Sequence, residues 1–167
     1  MTIVIQYFDD IHEGDSFASA RRTVTDADIL AFAGVSGDFH APHVDDVYAS
    51  QESLFGRRVA HGLLTVAIGN GLRSDLDDWD DVVYAGLSRR FVGPVFAGDT
   101  IHTNYTVTET RPSSSRSDRG VVSVGVTIVN SQTGDAVATG EDTYLVRRRP
   151  SSPVTTESAR STSSGSE

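Results

Sequence analysis

The stretch His61-Gly62-Leu63-Leu64-Thr65-Val66-Ala67-Ile68-Gly69-Asn70-Gly71-Leu72-Arg73 decides the fold. It is apolar on nearly every side, and a helix of that kind is a buried one. Its glycines weaken the helix locally but let a sheet approach closely. The acidic run 75–81 ends it. Downstream, the stretches 82–92, 99–110, 120–130 and 136–147 are rich in Val, Thr, Tyr and Ile and read as strands. Ser131-Gln132-Thr133-Gly134-Asp135 reads as the turn of a hairpin. One buried helix followed by long strands implies an α+β architecture, an antiparallel sheet wrapped around a central helix.

Upstream, a short strand precedes a helix capped by Thr25, with Asp28 at the third helical position. Ile29, Leu30, Phe32 and Ala33 give that helix an apolar face, and Gly34 and Gly37 are expected to end it. Asp45 can cap a second short helix over 46–54.

The chain of 167 residues fits one domain able to bury a core without staples. It has no cysteine, which excludes disulfides and thiolate metal sites. The net charge is -9, all 14 basic residues are Arg, and Asp dominates the 23 acidic ones. A high-salt cytoplasm and a GC-rich genome both favour such a composition. An acidic surface repels nucleic acid and anionic lipid, so neither is expected as a partner. The start, MTIVIQYFDDIHEGD, does not read as a signal peptide, and no apolar run has a membrane-spanning length. A cytoplasmic protein is the expectation. Residues 1–149 are expected to form the domain. The tail 150–167, with seven serines and no aromatic residue, is expected to be disordered.

Two segments carry the chemistry: Ser36-Gly37-Asp38-Phe39-His40-Ala41-Pro42-His43-Val44-Asp45 and Gly56-Arg57-Arg58-Val59-Ala60-His61-Gly62. Together they resemble the hydratase motif of MaoC-like dehydratases and (R)-specific enoyl-CoA hydratases. Arg90-Phe91-Val92-Gly93-Pro94-Val95-Phe96-Ala97-Gly98-Asp99-Thr100 resembles the segment that follows in that family. The resemblance spans about residues 10–146. It implies a hot-dog fold, a homodimer or higher homo-oligomer with the site at the subunit interface, an acyl-CoA substrate, and no cofactor or metal. It further implies that Asp38 and His43 are the catalytic pair, and that the Gly62 N–H binds the thioester oxygen. The sequence departs from the family where Asn-Pro is usual: here His40-Ala41 precede Pro42, with the Asp-to-His spacing kept.

The residue types suit hydration of a conjugated thioester. His43 can exchange a proton near neutral pH, Asp38 can hold the same water, and a helix N-terminus stabilises charge growing on the thioester oxygen. An acyl-CoA thioesterase on the same fold would commonly place a carboxylate on or beside the central helix; the stretch 61–73 has none. A non-catalytic thioester-binding protein need not keep both members of the pair. His61 reads either as shaping the site or as a core histidine satisfied by a carbonyl. The aspartates of 75–81 read as a solvated loop rather than a calcium site. Arg57, Arg58, Arg89, Arg90 and Arg147-Arg148-Arg149 are candidates for CoA phosphates, or ordinary surface charge.

Overall fold

A computed structural model describes residues 5–150. The tail from 151 on lies outside the described residues. Two short strands, β1 (Ser16–Ala18) and β2 (Arg22–Thr23), precede three helices: α1 (Asp26–Ser36), α2 (Ala41–Val44) and α3 (Asp46–Gln51). The central helix α4 (Gly62–Gly71) follows, then β3 (Val83–Phe91), β4 (Thr100–Pro112), β5 (Arg119–Asn130) and β6 (Ala136–Arg147). The sheet is antiparallel throughout, in the order β1-β4-β5-β6-β3, with β2 also paired to β4. This is the hot-dog arrangement expected from the sequence, a sheet curved round one helix.

Helix α1 begins as its capping box dictates. The Thr25 hydroxyl accepts from Asp28 N–H, and the Asp28 carboxylate accepts from Thr25 N–H. It ends at Gly37, whose φ of 78° suits a left-handed cap. Gly34 lies inside the helix rather than ending it, because its φ is helical and only Gly37 turns left-handed. The Asp45 carboxylate caps α3 by accepting from Val47 and Tyr48 N–H. That helix stops at Gln51, three residues short of the span expected from sequence. The four-residue α2 is too short to announce itself by periodicity.

Helix α4 lies against the sheet as its glycines foretold. A methyl group at Gly69 would sit 2.7 Å from Ile128 Cδ1 and 3.0 Å from Thr103 Oγ1. The Gly69 carbonyl accepts from the Thr103 hydroxyl at 2.9 Å and from the Tyr105 hydroxyl at 3.3 Å. Side chains alternate along β4, and Ile101, Thr103, Tyr105 and Val107 point inward. Leu64, Val66 and Ile68 of α4 pack with Ile101, Ile128 and Ala138 in one core cluster. The helix is not buried on every side, however. Leu63 is 65% exposed and Ala67 is also open, because a single sheet covers only one face.

A buried ion pair fixes the far end of α4. Arg89 and Asp142 have side chains 3% and 0% exposed. Arg89 Nη2 donates to Asp142 Oδ2 at 2.8 Å, and Nη1 lies 2.7 Å from Oδ1 as an ion contact without hydrogen-bond alignment. Arg89 also donates to Asn70 of α4, whose amide donates to the Tyr84 hydroxyl. Burial, then the Asp142 carboxylate, push the Tyr84 and Tyr144 phenols well above their usual range. The ends of the domain are tied likewise. Arg148 pairs with Asp9, and Arg149 pairs with Asp10.

Candidate active site

A cavity of about 730 Å³ opens between α1, the start of α4 and the loop after β3. Asp38, His43 and Gly62 all line it, so the three residues singled out in the sequence meet in one place.

The loop between α1 and α2 presents Asp38. Its backbone N–H donates to Ser36 Oγ at 3.2 Å, and its Oδ1 accepts from His40 N–H at 3.2 Å. Both contacts fix the carboxylate by local geometry. His40 is the N-cap of α2, and its ring lies edge-on to His43 at 6.4 Å.

His43 sits on α2, half-buried, with Nδ1 2.7 Å from the Val59 carbonyl oxygen. A carbonyl only accepts, so Nδ1 is the donor, and in the neutral tautomer this leaves the lone pair on Nε2. The segment bearing Val59 is itself strapped down. Val59 N–H donates to Pro42 O, and Ala60 N–H donates to Val95 O.

His61 answers both readings made of it. It is 2% exposed, and its Nε2 lies 2.9 Å from the Asp38 carbonyl oxygen, so that nitrogen donates. Its ring also stacks on His43, with centroids 3.8 Å apart. Its Nδ1 is enclosed without a hydrogen-bond partner among the described residues. The sequence offered no signal for this clamp, since a histidine beside a helix start is compatible with many surroundings. One ligating atom from each of Asp38, His43 and His61 lies within 4.8 Å of the others, so the group has the donor types of a divalent-metal site. The two carbonyl contacts leave one nitrogen on each ring for that role.

Gly62 is the first residue of α4, where a helix leaves its N–H groups unpaired. Its own N–H makes no hydrogen bond among the described residues. A Cβ here would meet the Phe91 ring at 2.8 Å, so a larger residue would have to push that exposed ring aside.

The arginine candidates separate. Arg58 binds Asp26 at 3.0 Å and Asp46 at 2.6 Å, and Arg89 is the buried partner of Asp142. Arg147, Arg148 and Arg149 are occupied by Asp80, Asp81, Asp9 and Asp10. In the acidic run 75–81, Asp78 pairs with Arg73 and Asp81 with Arg119 and Arg147. Asp81 thus ties the run to the ends of β5 and β6, while Asp75 and Asp77 stand exposed to solvent.

Comparison with known proteins agrees with the geometry. The MaoC like domain family matches residues 10–130. The (R)-specific enoyl-CoA hydratase of Rhodospirillum rubrum is 33% identical over 147 residues, 88% of this chain and 96% of that protein. Protein MaoC of Klebsiella aerogenes is 41% identical over 102 residues, 60% of this chain but only 30% of that longer protein. The crystal structure of the MaoC-like dehydratase from Rhodospirillum rubrum is 35% identical, with a TM-score of 0.78, covering 87% of this chain and 99% of that one. No helix among the described residues is long and apolar enough to cross a membrane. The chain belongs to the MaoC-like dehydratase domain family.

Proposed function

We propose that this protein is a hydro-lyase that reversibly adds water, in syn fashion, to a 2-enoyl-CoA, giving a (3R)-3-hydroxyacyl-CoA. One observation carries the reading: Asp38, the free Nε2 edge of His43 and the unpaired N–H of Gly62 border one cavity with largely apolar walls. In this scheme the acyl chain lies against Phe32, Phe55 and Val95, and the thioester oxygen faces Gly62. His43 takes a proton from a water held also by Asp38 as the water oxygen bonds to C3. The C2–C3 double bond becomes single, and charge passes to the thioester oxygen, where the Gly62 N–H stabilises it. The pair returns one proton to C2, so the sum is the addition of one water. Both groups hold that water from one side, which is why the addition is syn.

A thioesterase of this fold fits less well, since no carboxylate stands on α4. The test is a panel of enoyl-CoA thioesters of varied chain length, followed by loss of the conjugated absorbance and chiral analysis of the product. Hydration to the (3R) product is expected; hydrolysis to free CoA without hydration would refute the reading.

The same reading includes a homodimer. Among the described residues strand β3 pairs only with β6, and it exposes Val83, Tyr84, Leu87 and Phe91, an apolar sheet edge of the kind that invites pairing. Phe91 also borders the cavity, so a partner docked there would help enclose the site. Light scattering is expected to give twice the chain mass; an active monomer at micromolar concentration would overturn this part.

A further inference from the structure

Beside the catalytic cavity lies a second one of about 540 Å³. The two share Val92, Gly93, Pro94 and Val137 in their walls, so they lie next to each other along the turn after β3. Phe55 of the first cavity stands edge-on to Phe96 of the second, with ring centroids 6.5 Å apart. The guanidinium of Arg57 sits over the Phe96 ring, its Cζ 3.8 Å from the ring centroid. An aromatic platform of this kind holds an arginine in place while leaving its N–H edges free.

Arg57 is exposed and, among the described residues, has no carboxylate within ion-pair distance. That is unusual in a chain of net charge -9, where the neighbouring Arg58 is bound by two aspartates. Arg90 also lacks a carboxylate partner, but it borders neither cavity. Asp99 and Asp135 border the second cavity. Asp99 accepts from the Phe96 N–H at 2.9 Å, and among the described residues Arg57 is the one cation lining this cavity.

We infer that Arg57, seated on Phe96, is the phosphoester-binding residue of this site, taking the phosphate end of a pantetheine thioester whose acyl end lies in the catalytic cavity. The inference rests on the acyl-thioester reading above and adds to it the residue that recognises the carrier. Two carriers share this chemistry: CoA, with its diphosphate and nucleotide, and a protein bearing a phosphopantetheine arm. The second cavity supplies room for a polar group, and in this scheme the flexible arm runs past the residues that the two cavities have in common.

The test compares Arg57→Gln with wild type on three substrates: crotonyl-CoA, crotonyl-phosphopantetheine and crotonyl-pantetheine, which has no phosphate. For an exposed charge-assisted contact, kcat/KM on crotonyl-CoA is expected to fall roughly tenfold through KM, with kcat little changed. The loss is expected to shrink as salt is added. Crotonyl-pantetheine is expected to react equally well with both proteins. If phosphopantetheine and CoA substrates fall together, the contact is to the phosphate nearest the arm; if CoA alone falls, it is to the nucleotide end. Both support the site. Equal losses on all three substrates, or none on any, would overturn it. Should the wild type hydrate none of them, the hydratase reading fails. The phosphoester site is then judged by calorimetric titration with free CoA: weaker binding to Arg57→Gln upholds it and equal binding refutes it.

Discussion

The His61 imidazole donates from Nε2 to the Asp38 carbonyl at 2.9 Å while its face lies 3.8 Å from the His43 ring centre. One side chain at the start of α4 thereby sets the position of both members of the proposed catalytic pair. It also directly precedes Gly62 as the N-cap of α4, so the proposed oxyanion donor adjoins the same residue.

His61 is therefore expected to behave as a positioning residue. His61→Phe keeps a ring for stacking but loses the N–H. It should lower kcat by roughly 10- to 100-fold, the scale of a displacement near one ångström, with KM little changed. His61→Gln can still donate to the Asp38 carbonyl and should recover part of that loss. Steady-state kinetics on both variants, with thermal melts, decide it. Equal damage in both variants would mean that His61 only fills space.

Asp38→Asn and His43→Ala test the pair itself. Each should lower kcat by about 10²–10⁴-fold with little effect on the melting temperature. The double variant should be scarcely worse than either single one, because residues acting on one water are not additive. Near wild-type rates in both folded single variants would end the assignment.

Gly62→Ala is expected to separate activity from stability. Alanine favours a helix over glycine by up to about 1 kcal/mol, so melting should stay level or rise. The new methyl must displace the Phe91 ring, now 2.8 Å from where it would stand. That shift narrows the cavity at the thioester, and kcat/KM should fall on the order of 100-fold. Unaltered activity would mean that the thioester does not approach Gly62.

Acid should unfold the protein through its arginine-bound aspartates. The Arg149 N–H, followed by the Arg148 side chain, holds Asp9 below the ordinary 3.8. The Tyr7 N–H and the Arg149 guanidinium do the same for Asp10, and Arg119 and Arg147 do so for Asp81. A group whose pKa is lower folded than unfolded stabilises the fold above its unfolded pKa and loses that effect as pH falls through the folded value. The melting temperature should therefore hold near neutrality and drop below about pH 4. Asp81→Asn should lower it at pH 7 and flatten the acid limb; an unchanged limb would show that these pairs contribute nothing.

Much of this architecture was legible in local chemistry. The Thr25–Asp28 box, the Asp45 cap and the alternation along β4 announce their elements within a few residues. The Asp38–His43 spacing and the His61-Gly62 step likewise carry their own pattern. What was not legible depends on partners far along the chain. Arg57 and Arg58 are adjacent and identical in type, yet only Arg58 meets carboxylates, at Asp26 and Asp46. The apolar circumference of α4 said that it would be covered, not that one sheet would leave Leu63 open. Nor does anything near His61 in sequence reveal that Asp38 is its acceptor.

The pairing of Arg148 and Arg149 with Asp9 and Asp10 has a topological consequence. Residues about 140 positions apart in sequence lie side by side, so the stretch 9–149 traces a nearly closed ring. The order in which its elements are joined is then separable from the shape they make. A permuted domain, cut in the turn between β4 and β5 and joined by a short linker between residues near Asp9 and Arg149, would keep every contact around Asp38, His43 and Gly62. Loop-closure entropy grows only slowly with length, so such a permutant loses little by the exchange.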